Sequence, residues 1–233
     1  MKIAALALAA ITALNIGTPL VAQNYPVVVE LYTSQGCSSC PAADALLHEL
    51  ADRDDVIALA LHVDYWDYIG WTDEFGDPAH ADRQRAYANA AQRRSIYTPE
   101  MVVQGQTDIV GAKAMALSKA ISHHAQETPR VGLDISRDGT NLNIAAQMLG
   151  VVKGPMTVQM LRYTPRRVTE IKRGENAGKT IEYANIVEAW QVLGTWDGAT
   201  PLAMAAAAPG DKPAVVIIQA QGAGPILAAA RLR

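Results

Sequence analysis

Cys37 and Cys40 are the only cysteines in the chain, and they stand with two residues between them in PVVVELYTSQGCSSCP, residues 26–41. Thiols at this spacing do one of three things: they oxidise reversibly to a disulfide, bind a soft metal, or close an inert bridge. A structural zinc site needs a second pair of Cys or His ligands at similar spacing, and there is no second cysteine pair. Haem attachment needs a histidine directly after the second cysteine, where this chain has Pro41. An inert bridge would close so short a loop that it constrains the unfolded chain little. Redox or metal chemistry is the sharper expectation and the inert disulfide the blander one.

The elements around the pair are built to present it. Val27, Val28, Val29 and Leu31 form a short, β-branched apolar run that predicts a buried strand. It breaks into a polar, glycine-containing loop at 33–36, and a helix begins at Pro41, where a missing N–H costs nothing. A thiol at a helix N-terminus meets unpaired N–H groups and the positive end of the macrodipole, which favour the thiolate. Cys37 is expected to be the exposed nucleophile and Cys40 the resolving thiol.

A second continuous apolar run, 56–63, ends at His62 and Val63 and predicts a strand covered on both faces. Strand, helix, strand argues for parallel pairing with a right-handed crossover. The loop that follows, 65–75, is dense in aromatic and acidic residues, which either plug a core edge or wall a substrate groove. Residues 79–94 predict a helix with Arg83, Arg85, Arg93 and Arg94 on a solvated face. Thr98-Pro99 stands ahead of a hairpin built around Gln-Gly-Gln at 104–106, and residues 112–126 predict a helix.

With 233 residues, half of them hydrophobic, the chain can bury a sizeable core, and its net charge of −3 argues against a nucleic-acid partner. Residues 1–22 have the Lys2, apolar run and Ala22 of a secretory signal peptide, and no later segment is apolar enough for a stable membrane anchor. The expectation is export to the periplasm or beyond, where a disulfide can form.

The element order of residues 25–127 resembles the thioredoxin fold. The segments ELYTSQGCSSCP, HVDYW, YTP and RGEN make the whole chain similar to a secreted thioredoxin-like family of unknown function. That resemblance implies that Thr98-Pro99 is a cis-proline turn facing Cys37 and Cys40 that receives the substrate backbone. It also implies that Glu30 is a buried acid serving as proton relay. Ser38-Ser39 between the cysteines, Gly36 where thioredoxin has Trp, and the insertion 65–78 depart from thioredoxin itself. Copper chaperones on similar scaffolds pair two cysteines with a distant histidine, so a copper(I) site of Cys37, Cys40 and His62 is the alternative metal reading.

From residue 130 the character changes to short runs separated by Asp-Gly and Gly-Pro turns, which predicts an antiparallel β-sandwich. The alanine run 205–208 reads as loop or helix end. Arg173-Gly-Glu-Asn is either a turn or a cluster that frames the cysteine site. The expected architecture is thus an α/β thioredoxin-like domain (25–127) followed by an all-β sandwich-like domain (130–233). The leading functional expectation is a thiol–disulfide oxidoreductase acting on a protein or small thiol or disulfide substrate. Its catalytic residues would be Cys37, Cys40, Thr98, Pro99 and Glu30, with no cofactor beyond the cysteine pair. A non-catalytic binding protein with a structural disulfide is a third reading.

Overall fold

The computed structural model describes residues 25–233, so the expected signal peptide lies outside the described residues. The first run of valines forms β1 (Val27–Thr33), every residue of it buried. Helix α1 (Pro41–Leu50) follows with Cys40 at its N-cap position, and β2 (Val56–His62) pairs parallel to β1 in register, Thr33 opposite His62. Helix α2 (Pro78–Ala90) is capped by the Asp77 side chain, which accepts from the Ala79 amide. Strands β3 (Glu100–Val103) and β4 (Thr107–Val110) make the expected hairpin, with β3 antiparallel to β1, and α3 (Ala114–His124) closes this stretch.

Seven further strands follow: β5 (Val131–Asp138), β6 (Asn141–Met148), β7 (Met156–Glu170), β8 (Thr180–Trp196), β9 (Leu202–Ala207), β10 (Ala214–Ala220) and β11 (Ile226–Leu232). They do not form a domain of their own, and this overturns the expected fold class. β8 pairs parallel with β2, Ala60 opposite Ile186, so one mixed sheet runs β11-β10-β7-β8-β2-β1-β3-β4 through both stretches of the chain. Only β5, β6 and β9 form a separate three-stranded sheet. With eleven strands and three α-helices among the described residues, the molecule is mostly β, not an α/β thioredoxin-like domain followed by a sandwich.

The difference comes from long-range pairings. The continuous apolar pattern of β2 correctly announces burial on both faces, yet its free edge is filled by a strand more than 120 residues away. Asn185 adopts a left-handed conformation (φ 49°) where β8 meets β2 and donates its side-chain amide to the Ala58 carbonyl at 2.9 Å. The first three residues of the alanine run belong to β9 and Ala208 follows it, with Ala206 and Ala208 buried in an apolar core with Leu142, Ile144 and Val216. Arg83 is also not on a solvated face. It grips Glu30 with two hydrogen bonds (2.6 and 3.1 Å), reaches Gln219 of β10, and lies 4.0 Å from the ring centre of Trp190 of β8. Arg93 likewise pairs with the buried Glu100.

Burial divides by sheet face. Val27, Val29 and Leu31 pack with α1 and α3, whereas Val28 and Tyr32 pack with α2 and with Leu161, Tyr163 and Ile217. A third core joins the three-stranded sheet to β7, β10 and β11.

Candidate redox site

The cysteine loop is held by its own backbone and by three distant side chains. Cys37 and Cys40 form a disulfide with Cα atoms 5.4 Å apart. The Cys37 amide donates to the Ser34 carbonyl, and the Cys40 amide donates to the Cys37 carbonyl. Cys37 is only 2% exposed and Cys40 is fully buried, so the expected exposed nucleophile is covered, while Ser38 and Ser39 face solvent.

Cover comes from two places that the cysteine segment does not encode. Asn176, the last residue of the RGEN cluster, donates to the carbonyls of both Gln35 (2.9 Å) and Cys37 (2.8 Å). Arg173 of the same cluster is exposed. The second cover is the aromatic loop. Gly36 lies so close to Trp66 that a Cβ there would stand 3.0 Å from the Trp66 Cβ. Trp66 Nε1 donates to Thr98 Oγ1 at 2.7 Å, and Trp71 Nε1 donates to Gln35 Oε1 at 2.7 Å. Trp66 thereby ties the cysteine loop to Thr98-Pro99, whose peptide bond is cis.

Beneath the disulfide lies a buried polar layer. Asp44 is one helical turn beyond Cys40 and its amide donates to the Cys40 carbonyl at 3.0 Å. Its Oδ1 accepts from Thr33 Oγ1 at 2.8 Å, whereas Oδ2 has no partner within the protein. Burial raises the Asp44 pKa to about 7, against the opposing pull of His62 and the Thr33 hydrogen bond. His62 Nδ1 stands 2.8 Å from Asp73 Oδ2, which also accepts from the Gln35 amide. Burial pushes the Asp73 pKa up, but His62 and the backbone donors outweigh it and hold this carboxyl below its usual range. A carboxylate so held makes Nδ1 of His62 the donor and leaves Nε2, also without a protein partner, facing away. Tyr183 of β8 packs edge-on to His62 (4.8 Å), and its buried hydroxyl, like Gln35 Nε2, also has no partner. Burial, together with Asp44 and Asp73, raises the Tyr183 pKa.

Of the residues singled out in the sequence, Thr98 is linked through Trp66 to Gly36, the neighbour of Cys37. His62 lies in the polar layer, hydrogen-bonded to Asp73. Glu30 is on the opposite sheet face, with Arg83, Tyr32 and Tyr87 as its partners. The sequence reading missed Asp44 and Asp73. Asp44 had a signal: positions 40, 44 and 47 share one helix face, and Leu47 is an obvious core residue. Asp73 had none beyond its place in an acidic loop.

A family model described as protein of unknown function (DUF1223) matches residues 28–219. Among solved structures, the crystal structure of protein AGR_C_4864 from Agrobacterium tumefaciens is similar with a TM-score of 0.77 and 28% identity, over 91% of this chain and 96% of that one. HBP35 of Porphyromonas gingivalis is similar in fold, with a TM-score of 0.60 and 15% identity over 90% of this chain and 75% of that one. No curated protein matches the sequence.

Proposed function

The chain belongs to the DUF1223 family, whose function is unknown, and from the site it carries we propose an exported thiol–disulfide oxidoreductase. The observation that supports this reading is the Cys37–Cys40 disulfide at the start of α1 with the buried Asp44 carboxyl, one oxygen of it without a partner, one turn beyond it. A purely structural bridge has no use for an ionisable group buried at this cost.

In the reduced protein, the Cys37 thiolate attacks one sulfur of a substrate disulfide. A Cys37–substrate bond forms, the substrate S–S bond breaks, and the departing thiolate takes a proton from water. Cys40 then passes its proton to the Asp44 carboxylate, and the resulting thiolate attacks the Cys37 sulfur. The Cys37–Cys40 bond forms and the second substrate sulfur leaves, taking a proton as a thiol. Two electrons pass from protein to substrate, and the reverse sequence oxidises a substrate dithiol. Asp44 is the acid assigned here because Glu30 is held by Arg83 on the other side of the sheet. Its pKa of about 7 suits a group that must both accept and release a proton near neutrality. His62, oriented by Asp73, stabilises the ionised form of Asp44. Thr98-Pro99, tied to the loop through Trp66, positions the substrate backbone, and the substrate reaches the sulfurs from the side of Ser38 and Ser39.

The test is the equilibrium of the pair with glutathione buffers on metal-free protein. A two-electron midpoint at about −120 to −270 mV is expected, the span of known dithiol oxidoreductases. A pair that remains oxidised well below about −300 mV overturns the proposal in favour of an inert bridge. Insulin reduction that survives Cys37→Ser would equally sink the mechanism.

A further inference from the structure

The end of α3 and the turn after it gather the one group of three His, Cys, Asp or Glu side chains among the described residues whose ligand atoms all lie within 4.8 Å of one another: His123, His124 and Glu127. His124 is the fixed member, its side chain only 3% exposed. Its Nε2 stands 2.9 Å from Thr107 Oγ1 of β4, and its Nδ1 stands 2.7 Å from Glu127 Oε1. His123 projects into solvent with its Nε2 4.0 Å from the same carboxylate oxygen, and the two imidazole centres are 5.2 Å apart. Two imidazole nitrogens and a carboxylate oxygen are therefore gathered within 4.8 Å of one another.

We propose that His123, His124 and Glu127 form a binding site for a divalent transition-metal ion of the zinc and copper(II) class, independent of the cysteines. Two imidazoles and one carboxylate match the ligand preference of these ions, and three protein ligands leave a position open to solvent or a small ligand. Thr107 supplies what such sites ordinarily possess, a partner for the second ring nitrogen. At 2.7 Å the Nδ1 contact is a hydrogen bond to the Glu127 carboxylate, with the Thr107 hydroxyl against Nε2; a metal ion takes the place of the shared proton once Glu127 moves back by a few tenths of an ångström, and the ring then donates Nε2–H to Thr107. The group also sits at a helix C-terminus, where the negative end of the macrodipole favours positive charge. His124 and Glu127 line a cleft of about 310 Å³ between α3 and β11, which gives the open position room.

The experiment uses tag-free protein with the Cys37–Cys40 disulfide intact, titrated calorimetrically with Zn²⁺ and with Cu²⁺ in a non-chelating buffer. One equivalent should bind, Cu²⁺ more tightly than Zn²⁺, and the melting temperature should rise with added metal. His123→Ala and Glu127→Gln should each weaken binding by about tenfold or more, the effect of losing a ligand or its support. Both are exposed positions, so the variants test the site without removing the buried His124. A Cys37→Ser/Cys40→Ser variant should bind as the parent does. Absence of binding at millimolar metal, or binding unchanged in either ligand variant, overturns the site. Binding lost in the cysteine variant also overturns it.

Discussion

Replacing Asp44 by Asn tests the polar layer directly. The substitution keeps the shape and keeps an oxygen for Thr33 Oγ1, and it removes the titrating proton. Asp44 has an ordinary value of 3.8 in the unfolded chain and about 7 in the folded one. The folded pKa is raised, so the contribution is fully present below pH 3.8 and is lost as pH rises to about 7, where the folded carboxyl must ionise in a buried site. A separation of about 3 pKa values corresponds to roughly 4 kcal/mol in total, of which about 3 kcal/mol falls between pH 5 and pH 8. Urea unfolding of the oxidised protein at these two pH values measures it. Asp73 is ionised in both states throughout that window, its pKa lying below the usual carboxylate range. His80, whose pKa burial lowers, contributes with the opposite sign but equally in both proteins. Relative to Asp44→Asn, the parent protein should therefore lose about 3 kcal/mol on going from pH 5 to pH 8. Parallel stability profiles for the two proteins would refute the assignment of a buried, high-pKa carboxyl beneath the disulfide.

Asn176→Ala strips the Gln35 and Cys37 carbonyls of a buried donor, which should cost about 1–3 kcal/mol and speed reduction by dithiothreitol. Arg173→Ala, at an exposed position, should change neither, and stopped-flow reduction of both variants checks the contrast. Glu30→Gln leaves Arg83 without its carboxylate and should destabilise the fold by about 3–5 kcal/mol in chemical denaturation. The Cys37–Cys40 potential should stay put in that variant; a shifted pH dependence of the potential would return Glu30 to the redox machinery. Gly36→Ala brings a Cβ to 3.0 Å from Trp66 Cβ and 3.3 Å from its carbonyl oxygen, so tryptophan fluorescence should change and stability should fall by about 1–3 kcal/mol.

What the sequence disclosed was what lies close in the chain. The strand–loop–helix around Cys37 and Cys40 follows from a valine run, a glycine and Pro41, all within sixteen residues, and the hairpin after Thr98-Pro99 was equally local. Long-range partners were not legible. Neither a continuous apolar run nor a period-two pattern names the neighbour of the strand it identifies, so nothing in 56–62 or 180–196 announced that β8 would complete the edge of β2 and join both stretches into one sheet. The burial of Cys37 was hidden for the same reason, since its cover arrives from Asn176 and Trp66. Arg83 illustrates a different failure: one basic residue among four on a helix looks like solvated surface until its carboxylate, on a strand 53 residues earlier, is known.

The hydrogen bond from Asn176 to Cys37 spans 139 residues, and that separation has a consequence for the order of events during synthesis. A chain delivered N-terminus first presents both thiols long before β8 and the Asn176 turn exist. Throughout that interval nothing from the C-terminal strands covers the cysteines. Once the C-terminal strands arrive, the Asn176 turn closes over the cysteine loop. The nascent and the mature protein therefore offer different reactivity to the same reagents, and only in the mature state must a partner first displace a cover.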